Sequence, residues 1–324
     1  MIRSIFFILL APSFLVAPLV VHANPQLAYT SGARANMEVL DTRRVRSQRF
    51  DYDHAVTIAL PATYEASPDR RYPVLWVLDD PLMTRSAIAT VDLLVSGNMI
   101  PELIVIGVGS PSEEGLAGVS KRISEFSPPG KGFAGPGLKS NAFRSVAPLP
   151  EYPHRAEDFL AFLGDELRLS LAAEFRFADD HILHGHSLGG LFAGYTLFTR
   201  PELFDRMIIG SPALSNVNDA VFKLEEDFSK TSSELEIDLF VGAGGDEGNE
   251  WFLNAGGILS STARFIETMK LRDYHGARVY SRIYTGENHY TVAPRIMSDG
   301  LRHFYRSEAG EIGSTWPQKP SPSD

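Results

Sequence analysis

The stretch Gly185-His186-Ser187-Leu188-Gly189-Gly190 limits what this chain can fold into more than any other. An apolar run, Ile182-Leu183, precedes it, and a helix-like run from Leu191 to Phe198 follows. The pattern G-x-S-x-G in a strand–turn–helix context is that of a nucleophile elbow, in which a strained turn presents the serine hydroxyl outward. Glycines flank such a serine because a Cβ there would collide with the neighbouring strand or helix. The helix that begins at the turn supplies free N–H groups and the positive end of its dipole to a developing negative charge. Ser187 is therefore the candidate nucleophile, with Leu188 following it as an N–H donor.

The rest of the chain agrees with a strand–helix alternation. His54–Leu60 reads as an early strand partnered by residues 42–50, and Val74–Leu78 and Leu103–Val108 are continuous apolar runs of the kind buried on both faces of a parallel sheet. Further strands are expected at 181–184, 206–210, 237–242 and 279–284. Helices are expected at 82–95, 155–171 and 296–305. This order implies an α/β fold with a mostly parallel, right-handed central sheet and helices on both faces. Residues 110–150, rich in Gly, Pro and Ser, break the rhythm and read as one long loop bordering a binding cleft.

The ends frame this domain. Residues 1–23 pair one arginine with an apolar run and close on Val21-His22-Ala23, the pattern of a cleavable export signal. This predicts a periplasmic or extracellular protein with a catalytic domain over 24–306, a loose tail over 307–324 and no membrane anchor once the signal is removed. The sequence contains no cysteine, so its stability must come from the core alone. The formal net charge is −10, and −11 without residues 1–23, whose one charged side chain is Arg3. An acidic chain with no basic run has no electrostatic footprint for nucleic acid.

A serine nucleophile needs a base and an orienting acid, which in this topology follow it as acid, then histidine. His275, His289 and His303 are the candidates. His289, in Gly286-Glu287-Asn288-His289 after the last expected strand, sits where a loop can bring it over the sheet edge. The acid belongs after the strand at 237–242, where Asp246 and Glu247 are adjacent, and spacing alone leaves both open. His181, His184 and His186 do not suggest a metal site, since two belong to a buried strand and one to the elbow; no cofactor is called for.

With these pieces assembled, the chain resembles the putative-esterase family of α/β hydrolases, which includes siderophore (enterochelin-type) esterases. The resemblance runs from about Ala55 to Tyr305. It rests on Tyr72–Asp79, Ile100–Val108, the elbow through Phe192, Gly210-Ser211-Pro212, and Glu287-Asn288-His289 with Val292 and Pro294. It implies an α/β-hydrolase fold and hydrolysis of a small-molecule ester by Ser187, His289 and an acid through an acyl-enzyme. The family's G-x-x-E turn matches Gly244–Glu247 and favours Glu247 over Asp246. The family reads Leu-Asp-Gly after the third strand, where this chain has Leu78-Asp79-Asp80-Pro81. Pro81 has no N–H, so the second oxyanion donor, beside Leu188, is expected to be Asp80 or a residue beyond the proline, with Asp80 the first candidate. Arg122 lies in a segment similar to one that borders the family's cleft, so it is a candidate to bind an anionic or catecholate substrate. Short-chain acyl ester hydrolysis and acyl transfer are alternative activities. A non-catalytic binding protein on the same fold is the alternative from another class, but its mark would be loss of the nucleophile or base, and both are present.

Overall fold

The computed structural model describes residues 37–130 and 154–306. The expected signal, the C-terminal tail and the later part of the 110–150 segment lie outside the described residues. In chain order the elements are β1 (Glu38–Arg46), β2 (Asp53–Leu60), β3 (Tyr72–Leu78), α1 (Leu82–Ser96), β4 (Ile104–Gly109), α2 (Leu116–Phe126), α3 (Ala156–Ala161), α4 (Arg168–Glu174), β5 (Phe177–His186), α5 (Leu188–Thr199), β6 (Arg206–Gly210), α6 (Asn216–Thr231), β7 (Glu234–Gly244), α7 (Trp251–Ala255), α8 (Ile258–Arg272), β8 (His275–Tyr284) and α9 (Val292–Phe304). A π-helical turn, Phe162–Leu167, joins α3 to α4, so the helix expected at 155–171 is present with a widened middle.

The eight strands form one sheet in the order β1-β2-β4-β3-β5-β6-β7-β8. β1 and β2 are antiparallel to each other and β2 to β4; the remaining five pairings are parallel. β3 shows why the sheet needs cover on both sides. Val74, Trp76 and Leu78 enter one core, and Leu75 and Val77 enter the other, on the opposite face. α1 and α9 close the second core with buried stripes, Ala87-Val91-Leu94 and Val292-Ile296-Met297-Leu301, at helical spacing. α5 is buried from Gly189 to Phe198 on all sides, which fits its apolar sequence.

The expectation of one loop over 110–150 is corrected in its first part, where α2 is helical. Its inner side holds Ile123 and Phe126 together with a buried carboxylate, Glu125, bound to His54 Nε2 at 2.8 Å and to the Tyr52 hydroxyl at 2.7 Å. A helix docked partly through a polar contact carries a weak apolar period, and its flanking Gly115 and Pro111 read as loop signals.

Two strand histidines are sealed in the interior. Trp76 Nε1 donates to His181 Nδ1 at 3.1 Å, and burial, helped by Arg168, pushes that imidazole down to about 4. His184 is fully buried, neither ring nitrogen has a hydrogen-bond partner, and burial pushes it down to about 4 as well. These groups are neutral in the fold but titrate near their ordinary value of 6.5 when the chain unfolds. Between those values the unfolded chain holds more protons, so their contribution to stability is present above pH 6.5 and is lost as the pH falls toward 4. Replacing His184 by Leu removes one such titration and should flatten the fall of Tm across this window relative to the wild type. Parallel Tm curves from scanning calorimetry would show that His184 does not titrate on unfolding.

Candidate active site

The chain leaves β5 and enters α5 through Ser187, whose backbone sits at φ 61°, ψ −117°. This conformation is uncommon for a residue with a Cβ and is held from several sides. The Ser187 N–H donates to the Gly210 carbonyl at 2.9 Å, and the Ser187 carbonyl accepts from the Leu191 and Ala213 N–H groups, both at 3.1 Å. A Cβ on Gly185 would lie 2.1 Å from the Gly189 carbonyl oxygen, and one on Gly190 would lie 2.9 Å from Pro212 Cα. Leu188 opens α5, so its N–H lies in the first turn, where no intrahelical acceptor exists.

His289 follows β8 on a short turn. Asn288 Oδ1 there accepts the N–H groups of Tyr290 and Thr291, both at 3.0 Å, just ahead of α9. His289 Nδ1 lies 3.4 Å from Glu247 Oε1. Glu247 is wholly buried in the turn after β7, whereas Asp246 beside it is exposed. Of the two carboxylates that spacing left open, the fold directs Glu247 to the histidine. His275 stands exposed at the start of β8, and His303 packs on Tyr280 from α9.

Ser187 and His289 line one cleft with about 520 Å³ of space. Its walls come from the turn after β3, the segment after β4, α2, and the elbow. Arg122 is on this wall, as expected, but its guanidinium is already engaged: Nε and Nη2 grip the two carboxylate oxygens of Asp79, the latter at 2.9 Å. Asp79 itself has φ 69° and lies against the elbow, with its Oδ2 3.3 Å from where a Gly189 Cβ would be.

The assignment of Asp80 as an oxyanion donor is corrected. Its N–H continues the strand pairing and donates to the Val108 carbonyl at 3.3 Å, so it faces the sheet. Its carboxyl turns the same way, accepts from Thr57 Oγ1 at 3.0 Å and occupies the space left by the missing side chain of Gly107. Burial raises this carboxyl above the ordinary carboxylate range, against the opposing hydrogen bonds of Thr84 and Thr57. The first backbone N–H beyond Pro81 is that of Leu82, the opening residue of α1, which lines the cleft.

Two site residues had no assigned role in the sequence. Ser211 Oγ donates to Glu247 Oε1 at 2.6 Å from the end of β6. His186, the variable residue of the elbow, approaches the His289 carbonyl with its Nε2 at 2.8 Å and packs its ring 4.6 Å from the His289 ring. Burial, followed by the neighbouring His289 and His184, holds His186 well below the ordinary histidine value, so a neutral ring with Nε2–H donating fits this contact. Among the described residues no three His, Asp or Glu side chains group in a way that could hold a metal ion.

Ser211 supplies a hydroxyl donor to a buried carboxylate, and such bonds contribute about 1.5–3 kcal/mol. Replacing Ser211 by Ala should therefore lower kcat for an aryl ester on the order of tenfold, with a smaller effect on KM. Steady-state kinetics of the folded variant test this, and an unchanged kcat would remove Ser211 from the support of Glu247.

The family model described as Putative esterase matches residues 139–292. The ferri-bacillibactin esterase BesA of Bacillus subtilis is 24% identical over 295 residues, covering 84% of this chain and 93% of that protein. The siderophore triacetylfusarinine C esterase of Aspergillus fumigatus is 26% identical over 223 residues, covering 62% of this chain and 70% of its own length. Among solved structures, the IroE-like serine hydrolase of Shewanella oneidensis superposes with a TM-score of 0.70 at 23% identity, over 83% of this chain and 80% of that one. The siderophore hydrolase EstA of Aspergillus nidulans gives a TM-score of 0.70 at 20% identity, over 85% and 96%. These two structural likenesses establish the α/β-hydrolase fold, while the family model and the curated relatives carry the chemistry. The chain is thus similar to the Putative esterase family over residues 139–292, and the family model and these relatives support an esterase, a carboxylic ester hydrolase.

Proposed function

We propose that this protein is an exported serine esterase that cleaves ester bonds of siderophores through an acyl-enzyme. The observation that carries the mechanism is one arrangement: Ser187, held at positive φ, shares a cleft with His289, whose Nδ1 faces the buried Glu247. An Nδ1–H directed at the carboxylate leaves Nε2 unprotonated to act as a base. His289 takes the Ser187 hydroxyl proton as the oxygen attacks the ester carbonyl. The tetrahedral oxyanion develops against the Leu188 N–H and a second donor at the start of α1. His289 then protonates the departing alcohol, and water enters by the same route in reverse to release the acid. Glu247 stabilises the imidazolium that forms in each half-reaction.

The siderophore substrate is supported by the two curated relatives described above, one named a ferri-bacillibactin esterase and the other a siderophore triacetylfusarinine C esterase. Export is supported by the charged and apolar pattern of residues 1–23. In this reading residues 24–306 form the catalytic domain.

Replacing Ser187 by Ala should leave the fold intact and lower kcat about 10⁴–10⁶-fold. His289→Ala should match that loss, since members of a triad act as a unit. Glu247→Gln should cost less than either and more than Asp246→Asn. A fluorophosphonate probe should label the native protein, and heat denaturation or Ser187→Ala should abolish labelling. Retained turnover in folded Ser187→Ala would remove the serine from the mechanism, and a greater loss from Asp246→Asn would reassign the acid. The substrate is tested by comparing siderophore esters, with and without iron, against simple acyl esters; a uniform preference for the simple esters would overturn the siderophore reading. Amino-terminal sequencing of the exported protein should begin at Asn24.

A further inference from the structure

The cleft walls carry an unusual charge balance. Among the described lining residues, Asp79, Asp80 and Glu125 bring three carboxyl groups and Arg122 one guanidinium. Arg122 offers little charge to a ligand, because two of its nitrogens are already on Asp79. Lys121, next to it on α2, turns away to Glu114 at 2.6 Å and stacks over Tyr52. Glu125 is buried with His54 and Tyr52, and Asp80 with Thr57. Among the described lining residues the exposed rim is uncharged instead, with Leu82 65% exposed, Val119 46% and Tyr290 77%, beside an exposed Ser112.

We propose that the ester this cleft takes is uncharged where it meets the protein. It would be a neutral chelate or ester with apolar arms, and Arg122 would act as a positioning residue that ties α2 to the turn after β3 rather than as an anion receptor. This rests on the esterase reading above and narrows its substrate class. An anionic ester would have to draw Arg122 from Asp79, leaving a partly buried carboxylate without its partner, or else approach carboxyl groups that the pair no longer offsets. A neutral ester meets neither cost and covers the rim. The acidic chain as a whole offers a polyanion no long-range attraction.

The test uses the full mature chain and two matched aryl esters, neutral 4-nitrophenyl butyrate and anionic 4-nitrophenyl hydrogen succinate. Salt is varied from about 0.1 M to about 1 M, across which the screening length falls from about 10 Å to about 3 Å. The neutral ester should have the higher kcat/KM, on the order of tenfold, independent of salt. The anionic ester's value should rise with salt as repulsion is screened. A preference for the anionic ester, or a value that falls with salt, overturns the proposal. Asp79→Asn frees Arg122 and should shift the ratio of the two kcat/KM values toward the anionic ester by on the order of tenfold; an unchanged ratio overturns it. Arg122→Gln should lower kcat for both esters together, and a rise in KM confined to the anionic ester would make Arg122 an anion receptor after all. The same ordering should hold for a neutral ferric hydroxamate ester against a trianionic ferric catecholate ester. Fluorophosphonate labelling separates the two levels of failure. A protein that neither labels nor hydrolyses either ester fails the serine esterase reading, whereas one that labels and prefers the anion fails this proposal alone.

Discussion

At Ser187 three pieces of backbone meet more closely than side chains allow. The end of β5 touches the first turn of α5 at Gly185 and Gly189, and that turn touches Pro212, after β6, at Gly190. The serine backbone is locked there by hydrogen bonds to and from Gly210, Leu191 and Ala213. The strain of a positive φ at a non-glycine residue is thus borne by surrounding contacts, not by local preference. Everything else in the site is arranged around this point. β3 on one side supplies Asp79, β6 on the other supplies Ser211, and the ends of β7 and β8 bring Glu247 and His289.

The parts of this arrangement that could be read in the sequence are those where one residue type is physically required. Close approach requires glycine, so the elbow was legible from Gly185, Gly189 and Gly190. Strands covered on both faces require continuous apolar residues, so β3, β4 and β6 were legible, with boundaries close to those observed. His289 was legible because it is the histidine that follows the last parallel strand in a loop.

The unread parts depend on tertiary direction. Asp246 and Glu247 are neighbours with similar chemistry: spacing left both open, the resemblance to the family's G-x-x-E turn favoured Glu247, and the path of the turn after β7 buries Glu247 beside His289. Asp80 was the first candidate for the second oxyanion donor, with a residue beyond Pro81 the alternative, yet its own N–H is taken by the Val108 carbonyl across the sheet. α2 was hidden because part of its inner face is the Glu125 carboxylate, whose partners His54 and Tyr52 lie about 70 residues earlier, a separation no local window spans. Ser211 was visible as part of a motif, but its hydroxyl acquires a role only once β6 lies beside β7. Arg122 was placed on the cleft wall, but its partner Asp79 could not be seen from its own segment.

The sheet order has a consequence for how this protein acquires its chemistry. Ser187 leaves one strand, β6 intervenes, and the histidine and its acid arrive from the two strands beyond, separated from each other by 42 residues. The shortest contiguous fragment that contains these parts runs from residue 187 to residue 289, and their positions rest on four adjacent parallel strands, β5 to β8. Non-local pairing of that kind is slow to form and all-or-none in its outcome. On the proposed mechanism, catalysis therefore belongs to the finished sheet alone: during folding Ser187 stays chemically silent and meets His289 only when the last strand docks.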